Sequence, residues 1–188
     1  MGGRFEAKIC QVIVLESERL VFRSHEARDL EAFCAMEGDA EVRRYVGGAP
    51  RTREAAEQRF WSGPMRPVTE RLAIWAAVLK PEESYVGRCG LYPHLKGEDR
   101  VPDEAVLGFY LARAFWGRGL ATEAGRAFVD FGFREMGLKR IVTAVEVGNA
   151  ASVRVLEKLG FRLKEIEQGT RSFYHFELLR PERQVVRA

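Results

Sequence analysis

Residues 115–124 read FWGRGLATEA. An apolar, strand-like run (105–111, AVLGFYL) precedes them and a helix-like run follows, so Gly117 and Gly119 stand at a joint between strand and helix. The first N–H groups of a helix have no acceptor within it, and they sit at the positive end of the helix dipole. Glycine permits unusual φ angles and lets a ligand approach the backbone. The stretch is therefore either a plain tight turn or a seat for a phosphate or pyrophosphate. Two standard nucleotide motifs are not met. Leu120-Ala121-Thr122 follows Gly119, so the third glycine of GxGxxG is missing, and no GKS or GKT completes a P-loop.

Beyond the glycines, Leu120, Ala124, Ala127, Phe128 and Phe131 recur at helical spacing, and Gly137 is the expected stop. Residues 141–147 (IVTAVEV) are β-branched and read as a buried strand. Val153, Leu156 and Leu159 mark a short helix ending at Gly160; residues 161–167 and 171–179 are strands joined at 168–170.

Toward the N-terminus, residues 19–24 (RLVFRS) alternate as a strand, and Ala27, Leu30, Phe33 and Cys34 give a helix over 26–36. Gly47, Gly48 and Pro50 interrupt the chain, and Thr52 caps a helix over 53–61. Residues 72–79 are apolar almost throughout, which predicts a strand covered on both faces. They form a hairpin with 85–91 (YVGRCGL), and polar residues 93–103 read as a loop. Residues 1–17 are weakly patterned, in part a leader to the first strand. The order β-α-α-β-β-β-α-β-α-β-β predicts one mixed α/β domain over residues 1–188, not a strictly alternating doubly wound sheet.

Composition narrows the function. The chain has 188 residues, 46% hydrophobic and 30% charged, with a formal charge of +3. That excess, spread over interspersed Arg and Glu, argues against a nucleic-acid partner. Cys10, Cys34 and Cys89 are few, odd in number and widely spaced, so neither a disulfide framework nor a zinc site is expected, and no metal. Residues 1–15 lack the apolar core of a signal peptide, and no stretch approaches the roughly 18 apolar residues of a membrane span. The expectation is a soluble cytoplasmic protein with no membrane partner.

The run 116–121 (WGRGLA) resembles the pyrophosphate loop of the GNAT superfamily of acetyl-CoA-dependent N-acetyltransferases, with Trp116 where Gln or Arg is usual. WGxGxATEA is similar to the form in the RimJ/RimL-like branch, which resembles the ribosomal-protein N-terminal acetyltransferases. SERLVFRSHEARDLEAF, YVGRCGL, NAASVRVLEKLGF (149–161) and FYHFELLRPE resemble further family segments in the right order, covering roughly residues 17–182.

The resemblance implies an α/β (α+β) GNAT fold: a mixed, mostly antiparallel sheet, splayed between strands 105–111 and 141–147, with about four flanking helices and acetyl-CoA in the gap. It implies acetyl transfer to a primary amine, of a protein N-terminus or a small molecule, by direct attack in a ternary complex. The alternative is an acyl-CoA-binding or regulatory module of the same fold that does not catalyse. A homodimer is implied by family habit alone.

By the same resemblance, Phe109, Tyr110 and Leu111 lie along the pantetheine arm, and Trp116, Gly117, Arg118, Gly119, Leu120, Ala121 and Thr122 wrap the pyrophosphate. Arg118 either adds charge there or is a solvated surface arginine. Asn149 is a helix N-cap and, in the family, also a cofactor contact. Leu156 stands where many members carry a tyrosine proposed to protonate the leaving thiolate, and leucine cannot do so. Ser152, one helical turn earlier, either polarises the thioester or assists the thiolate, or else bonds its own backbone. Because a protonated amine cannot attack, a base is sought. Glu104, at the head of strand 105–111, and Glu146, on an apolar strand, are the carboxylate candidates; His94 and His175 are weaker ones. The acceptor wall is expected from residues 26–61 and 173–179. Tyr45, Phe60, Trp61 and Trp75 either line it or fill the core.

Overall fold

The structure is a computed structural model, described here over residues 13–65 and 71–181. Cys10 and most of the N-terminal leader lie outside the described residues.

Strand β1 (Ile13–Glu16) pairs with β2 (Leu20–Arg23). Helices α1 (Leu30–Gly38), α2 (Ala40–Arg43) and α3 (Arg53–Ser62) follow. Then come β3 (Ala73–Leu79), β4 (Ser84–Lys96), β5 (Asp99–Leu111), α4 (Leu120–Arg134), β6 (Arg140–Glu146), α5 (Ala150–Lys158), β7 (Arg162–Glu167) and β8 (Phe173–Leu179). The eight strands form one sheet in the order β1-β2-β3-β4-β5-β6-β8-β7. Every neighbouring pair is antiparallel except β5–β6.

Both faces of the sheet are covered, as the unbroken apolar run of β3 predicts. Trp75, Ala77 and Leu79 point to the core beneath α4 and α5, whereas Ala76 and Val78 point to a second core beneath α1 and α3. In α4 the predicted apolar stripe is inside: Leu120, Ala124 and Phe128 are fully buried, and Phe128 meets Phe22 edge to face at 4.8 Å. Gly125 of α4 faces Leu159 so closely that a Cβ there would lie 2.5 Å from Leu159 Cδ1, which sets the approach of α5. Thr52 caps α3 by accepting from the Ala55 N–H, as expected.

Three expectations are corrected. Residues 13–16 (IVLE) form an extra edge strand, paired with β2 and packed against the core through Val14 and Leu15. A short helix, α2, follows α1, capped by the Asp39 carboxylate on the Glu41 N–H at 2.8 Å. Residues 93–103 are not a loop but the outer arm of the β4–β5 hairpin, pairing Pro93 with Ala105 and Lys96 with Asp99 around Gly97 at φ +63°. The arm is polar because it projects past β3, whose pairing with β4 stops at Leu91, and Pro93 is tolerated at such an edge.

The β5–β6 pair positions the site. It spans three positions, Glu104 with Arg140, Ala105 with Ile141 and Val106 with Val142. The Thr143 hydroxyl then donates to the Leu107 carbonyl at 2.9 Å in place of a ladder bond, and the strands part beyond it.

Candidate active site

Where β5 and β6 part, a cleft of about 320 Å³ opens. Residues 107–110 of β5 form one wall and 143–146 of β6 the other, with Asn149 and Ser152 at the head of α5. Tyr45, Val46, Gly47, Tyr92, Arg171 and Phe173 complete the lining. The backbone of β5 faces this gap without a strand partner past Val106, so its amides are available to an extended ligand.

Beyond the end of β5, the chain turns through one short 3₁₀ turn into the glycine stretch. Gly117 and Gly119 take φ of +75° and +77°, left-handed values that explain the glycines directly. Gly119 is the N-cap of α4, and no side chain caps that end among the described residues. The first-turn amides of α4 are thus left for an outside acceptor. Trp116, nearly half exposed, ties the turn back to β5 through its indole N–H on the Leu111 carbonyl at 2.8 Å. Arg118 lies over the Phe115 ring, 5.6 Å from its centroid.

Two residues that the sequence reading missed hold this loop. Arg19 donates through Nη1 to the Arg118 carbonyl at 3.0 Å and meets Glu123 through Nε at 2.6 Å. Glu123 also accepts from the Arg19 N–H and the Ser17 hydroxyl, each at 2.7 Å. Burial opposes its charge, but these hydrogen bonds prevail and hold its carboxyl below the usual carboxylate value. An acid in the first turn of α4 was the available signal.

The predicted site residues divide. Phe109, Tyr110, Glu146, Asn149 and Ser152 all line the cleft. Leu111 is buried at its edge, and 116–122 lie beyond it. The Asn149 amide oxygen caps α5 by accepting from the Ser152 N–H at 3.1 Å. The Ser152 hydroxyl carries no hydrogen bond among the described residues, so the backbone-bonding role does not occupy it. Leu156 is fully buried in the core.

Glu104 is not brought to the cleft. It sits at the closed end of the β5–β6 pair, with Oε2 2.7 Å from His94 Nδ1 and 2.9 Å from Arg140 Nη2. Glu146 does face the cleft, but Arg171 grips it through Nε at 3.0 Å and through Nη2. The hydrogen bond from Arg171, against slight desolvation, holds the Glu146 carboxyl below its ordinary value and weakens it as a base. His175 is paired with Glu167 at 2.8 Å. Phe60 and Trp75 are core, Trp61 is exposed outside the cleft lining, and Tyr45 alone of the four aromatics lines the cleft. Tyr92 was not foreseen there. Burial, with Tyr110 beside it, pushes its phenol up to about 12, so it stays protonated.

Among the described residues no group of three or more His, Cys, Asp or Glu could hold a metal ion, and no helix is long and apolar enough to cross a membrane. An opened strand pair next to an uncapped helix start suits a long ligand with amides at one end and phosphates at the other.

The chain is similar to known proteins. The sequence pattern of the acetyltransferase (GNAT) domain matches residues 19–162. The chain is 31% identical over 149 residues to the uncharacterized protein YkkB of Bacillus subtilis (strain 168), covering 78% of this chain and 83% of that one. It is 29% identical over 181 residues to an uncharacterized N-acetyltransferase, p20, of Bacillus licheniformis, covering 89% and 97%. The crystal structure of a GNAT-family acetyltransferase from Bacillus anthracis has the same fold, with TM-score 0.76 at 24% identity, over 88% of this chain and 98% of that one. The chain belongs to the GNAT family and is an acetyltransferase.

Proposed function

We propose that this enzyme transfers the acetyl group of acetyl-CoA to a primary amine, of a protein N-terminus or a small molecule, by direct attack in a ternary complex. The observation that carries the reading is the alignment of two features on one strand: the opened edge of β5 and, directly after it, the uncapped start of α4. In this reading the unpartnered backbone of Phe109 and Tyr110 pairs with the pantetheine amides. The amides of 117–122 receive the pyrophosphate, with Arg118 adding charge.

The amine enters past Tyr45 and Phe173. The Ser152 hydroxyl and the protonated Tyr92 phenol are the cleft groups able to donate to the thioester oxygen or the departing thiolate. Glu146, paired with Arg171, serves better to shape the wall than to take a proton, and the amine loses its proton to water. Asn149 holds the head of α5 that presents Ser152.

Incubation with acetyl-CoA labelled in the acetyl group and a panel of amines tests the reading. Acceptor-dependent thiol release, with the label recovered as an amide, is expected. Label recovered only as acetate, or carried on the enzyme as a stable intermediate before amine is added, would overturn direct transfer.

A further inference from the structure

Beneath α1 and α3 a single buried carboxylate is surrounded by arginines. Glu37, 2% exposed, is gripped by three arginines: Arg88 at 2.6 Å, Arg51 at 2.9 Å and Arg43 at 3.2 Å. One carboxylate cannot balance three guanidiniums, so two positive charges remain. Arg59, exposed on α3, adds another, and its guanidinium makes no hydrogen bond or ion pair among the described residues. Of the acids just after α1, Asp39 lies 3.9 Å from Arg113 and Glu41 3.8 Å from Arg44. Partial burial and the guanidiniums of Arg88 and Arg51 hold Arg59 below the usual arginine value, a second sign of positive excess.

This charge adjoins the cleft. Arg88 and Tyr110 are cross-strand partners on the same face, and the guanidinium lies 4.8 Å from the centre of the Tyr110 ring, which lines the cleft. Arg43 donates to the carbonyl of Gly47, also a lining residue, at 2.8 Å. Its Nε is buried without a partner among the described residues. The one acid among the lining residues, Glu146, is neutralised by Arg171. A cationic amine therefore finds no unspent carboxylate at this end of the cleft.

Resting on the acetyl-transfer reading, we infer that the acceptor is an amine carrying a neighbouring anionic group, a carboxylate above all, drawn in by the positive field of Arg88, Arg43 and Arg59, which lie behind the lining residues Tyr110 and Gly47 and not in the cleft wall. Positive surroundings of this kind attract the anion and disfavour the ammonium relative to the free amine, so recognition and activation act together. Polycationic acceptors are excluded by the same field.

The test compares matched acceptors by thiol release from acetyl-CoA: glycine against glycinamide, β-alanine against its amide, peptides opening on acidic against amide side chains, and a diamine. A carboxylate preference of about tenfold or more in kcat/KM is expected, and Arg59→Gln, at an exposed site, is expected to shrink that ratio by about threefold. Arg88→Gln is expected to shrink it further, with circular dichroism checking its fold. The free amino acids and the acidic peptides separate a small-molecule source of the anion from a polypeptide one. Equal use of acid and amide, or preference for the diamine, overturns this inference while leaving acetyl transfer standing. Failure of every acceptor, with acetyl-CoA binding intact by calorimetry, overturns both.

Discussion

Arg19 Nε lies 2.6 Å from Glu123 Oε2, joining the entry of β2 to the first turn of α4 across 104 residues of chain. The same guanidinium holds the Arg118 carbonyl, so one ion pair fixes the shape of the glycine turn. Arg19 is substantially exposed and Glu123 is not, so the pair itself contributes little stability, with a double-mutant coupling of about 0.5–1 kcal/mol. Its effect on ligand binding is larger than that suggests, because it preorganises the loop. Arg19→Ala is expected to weaken acetyl-CoA binding by about fivefold, equivalent to about 1 kcal/mol, as read by calorimetry.

Gly119 offers a sharper probe of the loop. At φ +77° any side chain there is strained by about 1–2 kcal/mol, and Asn or Asp suffers least. Gly119→Asp places a carboxylate where the pyrophosphate is proposed to sit; Gly119→Asn carries the same shape without the charge. The Asp variant is expected to bind acetyl-CoA about 10²-fold more weakly than the Asn variant. Equal affinities in two folded proteins would defeat the assignment of the loop.

Ser152 is expected to act on the reaction more than on binding. Its N–H is already used by Asn149, and its hydroxyl is free in the cleft. Ser152→Ala keeps the cap and removes the hydroxyl. Turnover is expected to fall by about 10²-fold with the acetyl-CoA dissociation constant unchanged. A matching loss in Tyr92→Phe would show that the two hydroxyls share the task, and an unaltered turnover in both would remove it from them.

His25 gives the protein an acid-sensitive point away from the reaction. It is 4% exposed, edge-on to Phe60, and its Nε2 is buried without a partner among the described residues. Burial pushes its pKa down to about 4; Asp29 opposes the shift, and Arg88 and Arg23 reinforce it. Between about pH 4 and 6.5 the unfolded chain therefore binds a proton that the folded one refuses. Stability is expected to rise with pH through that window, by on the order of 3 kcal/mol, and to change little from this group above it. Urea denaturation of the wild type and of His25→Phe at pH 4.5 and pH 7 checks this. The variant is expected to lose less stability on acidification than the wild type.

Much of the framework was legible in the primary structure. The β3 run, the α4 stripe, the Thr52 cap and the β7–β8 hairpin each follow from local pattern, since burial of an apolar face or capping of a helix end is written in adjacent residues. Two of the errors concern strands, and the third is the short capped helix α2. Residues 93–103 are strand because backbone pairing with a neighbour satisfies their amides, and pairing leaves little trace in polar side chains, whereas the short apolar run 13–16 reads in sequence as leader. Five of the predicted site residues meet in the cleft, but Glu104, one candidate base, points to the closed end of its strand pair.

The sequence by itself determined the glycine turn, most of the order of elements and the family, because those rest on residues close together in the chain. Only the tertiary structure decided which charges are spent. Glu146 is neutralised by Arg171, 25 residues away, and Glu37 gathers Arg88 from 51 residues away, leaving guanidiniums in excess beside the cleft. Charge balance at a site is a sum over side chains that meet in space, and no local pattern carries that sum.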